Sequence, residues 1–302
     1  MTQSTKWFIA ILAALALFVL GFLAVVLVIF NSMPDRTEVV TYGSGDKVAV
    51  VEITGVILSG DDVIRQLKEY REDRAVKAIL VRIESPGGGV VASQEIYEEV
   101  RKTRDGGTPV VISMGALAAS GGYYVACGGT HIVANRGTLT GSIGVVADFL
   151  QLKDALQKLG IEVKTVKSGK LKDAGSSVRP MTAEDERYFQ DLMDVVHRQF
   201  IDVVERERAL SHSNALDLSD GRVFTGEEAL RLGLVDTIGT FEDAVKIAAE
   251  ISGIEGEPAI VRERRRHLWW EGVFSDAAES IAGLKEELLN RPVLSYRFVG
   301  SQ

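Results

Sequence analysis

The chain has 302 residues and a formal net charge of −8, with 42 acidic against 34 basic side chains. That length allows one large domain or two small ones, each able to bury a core, and the acidic balance argues against a general nucleic-acid binder. The single cysteine, Cys127, excludes an internal disulfide framework and any cysteine-based metal cluster. The four histidines, His131, His197, His212 and His267, are scattered and form no H-E-x-x-H pair, so no metal or other cofactor is expected.

Residues 1–6 read as a short cytoplasmic N-terminus. Trp7 to Phe30 then carries no charge and no proline. As a helix it would span roughly 36 Å, enough for a hydrocarbon core of about 30 Å. No A-x-A-like cleavage site follows, so the segment is expected to be a retained transmembrane anchor. Lys6 before it, with Asp35, Arg36 and Glu38 after it, gives a small positive-inside bias for an extracytoplasmic body, which in a bacterium means an inner-membrane anchor with the body in the periplasm or at the outer cell surface. Residues 31–45 read as a linker.

From residue 46 the pattern alternates. Strands are expected at Lys47–Leu58, Ala78–Ile83, Pro109–Met114, His131–Ala134 and Glu162–Val166. Helices are expected at Asp61–Arg74, Val90–Thr103, from Ala118, at Phe149–Leu159, Ala183–Leu210 and Phe241–Ile251. Strand–helix alternation predicts an α/β fold with a helix-covered parallel sheet over residues 46–262. Residues 263–302 break the alternation and read as a C-terminal tail. Its Trp269, Trp270 and Phe274, beside Arg262 and Arg264–Arg266, suit either a membrane surface or a solvated charge run.

Several loops could carry chemistry. Ser85-Pro86-Gly87-Gly88-Gly89 is a strand-to-helix turn whose backbone N–H groups could face a developing oxyanion, or whose glycines serve geometry alone. Ser120, between Ala119 and Gly121, is either a nucleophile at a strand-to-helix turn or a helix N-cap. Gly141-Ser142-Ile143-Gly144 brings a second hydroxyl. Lys170 and Lys172 could approach these loops or remain surface charges. A lysine serving as general base must be desolvated enough to lose its proton. Cys127, in Tyr-Tyr-Val-Ala-Cys-Gly, reads as a buried small apolar residue.

Together, Ser85–Gly89, Ala118–Tyr124, Thr140–Val145, Lys167–Gly169 with Lys172-Asp173, Phe224–Ala229 and Gly233–Asp236 resemble the signal peptide peptidase A family, in its short single-repeat form. The resemblance implies a ClpP/crotonase-type spiral of repeated ββα units behind one N-terminal transmembrane helix. It implies a membrane-anchored serine endopeptidase with Ser120 as nucleophile, Lys172 as general base and Ser142 orienting the lysine. Gly87, Gly88 and Gly121 would form the oxyanion hole. It further implies remnant signal peptides as substrates, membrane attachment, no cofactor and a homo-oligomeric ring whose dyad members come from adjacent protomers.

Overall fold

The structure is a computed structural model that describes residues 37–265 and 295–298, together with Trp7, Leu15, Phe18 and Gly21. Its centre is a nine-stranded sheet in the order β1-β10-β2-β3-β5-β6-β9, with β7 beside β5 and β8 beside β7. In chain order the strands are β1 (Thr37–Tyr42), β2 (Lys47–Thr54), β3 (Val76–Ser85), β4 (Gly87–Gly89), β5 (Val110–Ala119), β6 (His131–Ala134), β7 (Leu139–Gly141), β8 (Val223–Thr225), β9 (Thr237–Ile238), β10 (Ala259–Arg265) and β11 (Ser295–Arg297). The helices are α1 (Asp61–Glu72), α2 (Val90–Asp105), α3 (Gly121–Ala126), α4 (Lys153–Lys158), α5 (Ala183–Glu207), α6 (His212–Asp217), α7 (Gly226–Arg231) and α8 (Phe241–Ser252). The fold is mixed α/β and largely parallel, consistent with a ClpP-like architecture: β10, β2, β3, β5, β6 and β9 pair in parallel, and β1 and β8 add antiparallel edges.

The strands are apolar on consecutive positions because both sheet faces are covered. On one face Ala49, Val51, Ile79, Val81, Ile112 and Ile132 pack with Leu67 of α1 and Ile96 and Val100 of α2. On the other face Val48, Val50, Leu80 and Val111 meet Ala244 and Ala248 of α8. Parallel register then aligns the C-terminal ends of β3 and β5, where Ser85 lies opposite Ala118. The glycine loop and Ser120 are brought together by that alignment.

Several expectations need correction. Residues 162–166 form no strand; every residue from 161 to 170 is exposed, and no strand among the described residues supplies a ladder. The helix expected at Phe149–Leu159 shortens to α4, which has no buried residue. β1 forms inside the expected linker 31–45 by pairing with β10, which itself runs past residue 262. Arg262 there lies over the Tyr42 ring and near Glu52, at 5.6 and 3.8 Å.

The expected anchor at 7–30 lies outside the described residues, except for Trp7, Leu15, Phe18 and Gly21, which are helical and exposed. No helix among the described residues is long and apolar enough to cross a membrane. Residues 1–6, and Arg266, His267, Trp269, Trp270 and Phe274, also lie outside them.

Candidate active site

Strand β5 delivers Ser120 to the first turn of α3. The Ser120 backbone has φ +53° and ψ −114°, a strained conformation for a residue with a Cβ. Its N–H donates to Gly141 O at 2.8 Å, and its carbonyl accepts from Tyr124 N at 2.8 Å. Ser120 occupies the N-cap position of α3, but its hydroxyl makes no capping hydrogen bond. Ser120 is 1% exposed, and its Oγ has no hydrogen-bond partner among the described residues. Backbone strain and an unpaired buried hydroxyl each cost about 1–3 kcal/mol. Both costs fall on this one residue.

The approach to Ser120 is braced. Glu84, near the end of β3, accepts from the N–H groups of Ala116 at 2.8 Å and Leu117 at 3.0 Å. The buried hydroxyls of Thr138 and Thr140 donate to the carbonyls of Gly115 and Ala118, each at 2.7 Å. Sequence reading missed these three residues. The available signal was an acid just before Ser-Pro-Gly and two threonines just before Gly141-Ser142.

The glycine loop lies against the start of α3. Gly87 has φ +95°, and a Cβ there would come within 2.6 Å of Gly121 N. Its own N–H donates to Ser85 Oγ at 3.0 Å, and Ser85 Oγ donates to Gly55 O at 2.6 Å. Ile57 N donates to Gly87 O at 2.9 Å and Gly89 N to Ile57 O at 2.7 Å, so Gly88 is held against the Ile57 backbone with no room for a side chain. Gly87 therefore shapes the loop while its N–H is engaged, and the Gly88 nitrogen lies close to Gly121: a Cβ on Gly121 would lie 3.1 Å from Gly88 N.

Strand β11 covers this loop. It pairs antiparallel with β4, with Tyr296 opposite Gly88 and Arg297 opposite Gly87. Phe298 N donates to Pro86 O at 2.7 Å. Antiparallel alternation then makes Tyr296 and Gly88 a pair that exchanges hydrogen bonds, with Gly88 N–H donating to Tyr296 O. A Cβ on Gly121 would lie 3.1 Å from that same carbonyl oxygen.

Ser142 is buried, with φ +52°, and its N–H donates to Arg222 O at 2.8 Å. Its position follows from β7 pairing with β5, which sets Gly141 opposite Ala119. Lys172 is not brought to Ser120 within the chain. It is exposed, in a segment anchored by an ion-pair network. Arg179 joins Asp173 at 2.9 Å and Asp185 at 2.5 Å, and Lys167 meets Asp173 at 2.6 Å. Hydrogen bonds from Arg179 hold both carboxyls well below the usual aspartate range. A tilted contact of Phe149 on Phe189 of α5, 4.3 Å between centroids, ties the preceding loop to the same helix. Lys170 pairs with Glu184 at 2.6 Å, whereas Lys172 has no ion-pair partner among the described residues. Cys127 is buried at the C-terminal end of α3, and burial pushes its thiol up to about 12, as an inert core residue requires.

The model of peptidase family S49 matches residues 102–255, and that of Clp protease matches residues 58–142. A Synechocystis protein provisionally named a protease is 44% identical over 211 residues, covering 69% of this chain and 76% of its own length. Protease 4 of Haemophilus influenzae is 33% identical over 239 residues, 76% of this chain and 38% of that protein. The chloroplastic serine protease SPPA of Arabidopsis thaliana is 31% identical over 262 residues, 82% of this chain and 39% of that protein. The chain thus matches well under half the length of the last two.

Proposed function

From the premise that the chain belongs to peptidase family S49 and is a serine peptidase of the SppA type, we propose that Ser120 is its nucleophile and Lys172 its general base, with the lysine supplied by a neighbouring copy. The observation that carries this reading is the Ser120 hydroxyl: buried, on a strained backbone, and without a partner beside a glycine loop.

The chemistry follows from those positions. An amine accepts the Ser120 proton as Oγ attacks a peptide carbonyl, then returns it to the leaving nitrogen. The N–H groups of Gly88 and Gly121 stabilise the oxyanion, and Gly87 with its positive φ sets their approach. Water then hydrolyses the acyl-enzyme. A lysine acting as base must be desolvated, and burial against a second subunit would supply that desolvation. Ser142, in the turn beside β7, orients the arriving amine. The segment bearing Lys172 has Ile161, Val163 and Val166 exposed at 49%, 49% and 91%, an apolar surface suited to a homo-oligomeric ring.

Residues 7–30 anchor the chain in a bacterial inner membrane with the peptidase domain outside the cytoplasm. There it hydrolyses remnant signal peptides and other membrane or misfolded polypeptides. A serine-directed fluorophosphonate tests the core of the reading. Wild-type protein should be labelled and Ser120→Ala should not, with both melting at the same temperature. Labelling of a folded Ser120→Ala protein at the wild-type rate would refute Ser120 as nucleophile.

A further inference from the structure

The lysine-bearing segment is seated on one end of α5. In that helix only Asp185, in the first turn, and Phe200, Ile201, Val203 and Val204, near the far end, are buried. The core therefore grips α5 by its far end, while the first turn holds the segment. Lys172 lies in a pair of tight turns, where its N–H donates to Gly169 O at 3.2 Å and Ala174 N donates to Leu171 O at 3.1 Å. Lys167 closes these turns, its Nζ donating to Lys170 O at 2.8 Å and to Asp173 Oδ1 at 2.6 Å. Arg179 then bonds them to the helix. Its Nε and Nη2 each donate to the Asp173 carboxylate at 2.9 Å, and its Nη1 and Nη2 donate to the Asp185 carboxylate at 2.5 and 3.2 Å. Asp185 is itself fixed: it is buried, and its carboxylate accepts from Thr182 N at 2.9 Å in the helix cap. Gly175, with φ +75°, lies so close to Phe149 and Phe189 that a Cβ would come within 2.7 and 3.1 Å of their rings.

We infer that Arg179 is a positioning residue for Lys172: it locks the lysine turn to the first turn of α5, so that the amine reaches Ser120 of the neighbouring copy preassembled. The inference rests on the reading above, in which Lys172 of one copy serves Ser120 of another. A planar guanidinium presents its donors in a fixed fork and can hold two carboxylates in one orientation. Asp173 is the covalent neighbour of Lys172, so fixing its carboxylate fixes the backbone from which the amine extends. The network also occupies the acids around the turn. Asp173 is taken by Arg179 and Lys167, Asp185 by Arg179, and Glu184 by Lys170. None of these three is left to hold Lys172 as an ammonium, and an opposite charge beside it would favour the protonated form. Loss of Arg179 should therefore misplace the amine without weakening peptide binding. A displacement of about 1 Å can cost about a hundredfold in rate, so kcat should fall by roughly tenfold or more with KM little changed.

The test asks which chain needs Arg179. Full-length Ser120→Ala and Lys172→Ala chains are mixed, allowed to exchange subunits and assayed on one fluorogenic peptide, with exchange verified by mass-tagged chains. In this parent mixture a complete site joins Ser120 of the Lys172→Ala chain to Lys172 of the Ser120→Ala chain. Arg179→Ala added to the Ser120→Ala chain, the lysine donor, should lower the recovered kcat by roughly tenfold or more. The same change added to the Lys172→Ala chain, whose own turn carries no lysine, should leave recovery at the parent level. A general loss of stability or assembly would lower both mixtures alike. Arg179→Lys on the lysine donor keeps a charge without the fork and should regain part of the rate. Asp173→Ala removes the acceptor beside the lysine but spares the Arg179–Asp185 pair, and it should repeat the asymmetry even where Arg179→Ala chains assemble poorly. Recovery that does not depend on which chain carries either change, beside an active parent mixture, would overturn the role of Arg179 and leave the dyad standing. A parent mixture that regains nothing despite verified exchange would instead remove the shared dyad, and this inference with it.

Discussion

Lys170 Nζ lies 2.6 Å from the Glu184 carboxylate at the start of α5, while Lys172, two positions along, is exposed and has no ion-pair partner among the described residues. The two lysines share a segment but differ in commitment. Lys172→Ala should abolish peptide hydrolysis as completely as Ser120→Ala, and the double variant should be no worse, because members of one catalytic unit are not additive. Lys170→Ala should stay active, losing only an exposed ion pair worth about 0–1 kcal/mol. Steady-state hydrolysis of one fluorogenic peptide checks all four proteins. An inactive Lys170→Ala beside an active Lys172→Ala would reverse the assignment.

Glu84 is a positioning residue. Its carboxylate accepts from Ala116 and Leu117, which lead directly to Ser120. Glu84→Ala leaves those N–H groups without their acceptor, at about 1–3 kcal/mol of stability. A nucleophile displaced by a fraction of an ångström should lower kcat by roughly tenfold or more, with KM little changed. Glu84→Gln keeps an acceptor for only one of the two N–H groups and should recover part of kcat, which a purely global loss of stability would not allow. Thermal melts with a kcat and KM pair for each variant decide the point.

The Arg179 network gives a pH dependence with a definite sign. Asp173 and Asp185 both titrate below their ordinary value of 3.8 because Arg179 bonds to each. A depressed carboxyl contributes its full stability above the unfolded pKa and loses it as pH falls towards the folded one. The lysine-bearing segment should therefore resist limited proteolysis equally from pH 7 to about pH 4, and become sensitive only below that. Sensitivity rising between pH 7 and pH 5 would contradict the network's role.

Cys127 is 2% exposed, and burial raises its thiol to about 12. Alkylation by iodoacetamide at pH 8 should be undetectable in the folded protein and rapid in denaturant. Cys127→Ala should keep its peptidase activity. Native alkylation that also kills activity would contradict its reading as an inert core residue.

Much of the sheet was legible because strands buried on both faces leave continuous apolar runs, as in Ala78–Ile83 and Pro109–Met114. The glycine turns flanking Ser120 were legible for a related reason: few sequences place so many small residues around one hydroxyl. Pairings between distant segments were not legible. The β10 sequence reads as charged, yet it forms a strand because β1 and β2 flank it. β11 docks on three glycines, which carry no side-chain pattern to announce a partner. Residues 162–166 showed the opposite failure, a strand-like composition with no edge to join. The strain at Ser120 depends on φ and ψ, which composition does not encode.

The central claim is that Ser120 acts with a lysine from another copy of the chain. Complementation tests it most directly. Inactive Ser120→Ala and inactive Lys172→Ala proteins are mixed, dissociated, allowed to exchange subunits and assayed together, with exchange verified by mass-tagged chains. The account predicts that peptide hydrolysis returns in the mixture, because some interfaces then join an intact Ser120 to an intact Lys172. No recovered activity despite verified exchange would contradict it and would mean that each chain holds its own complete dyad.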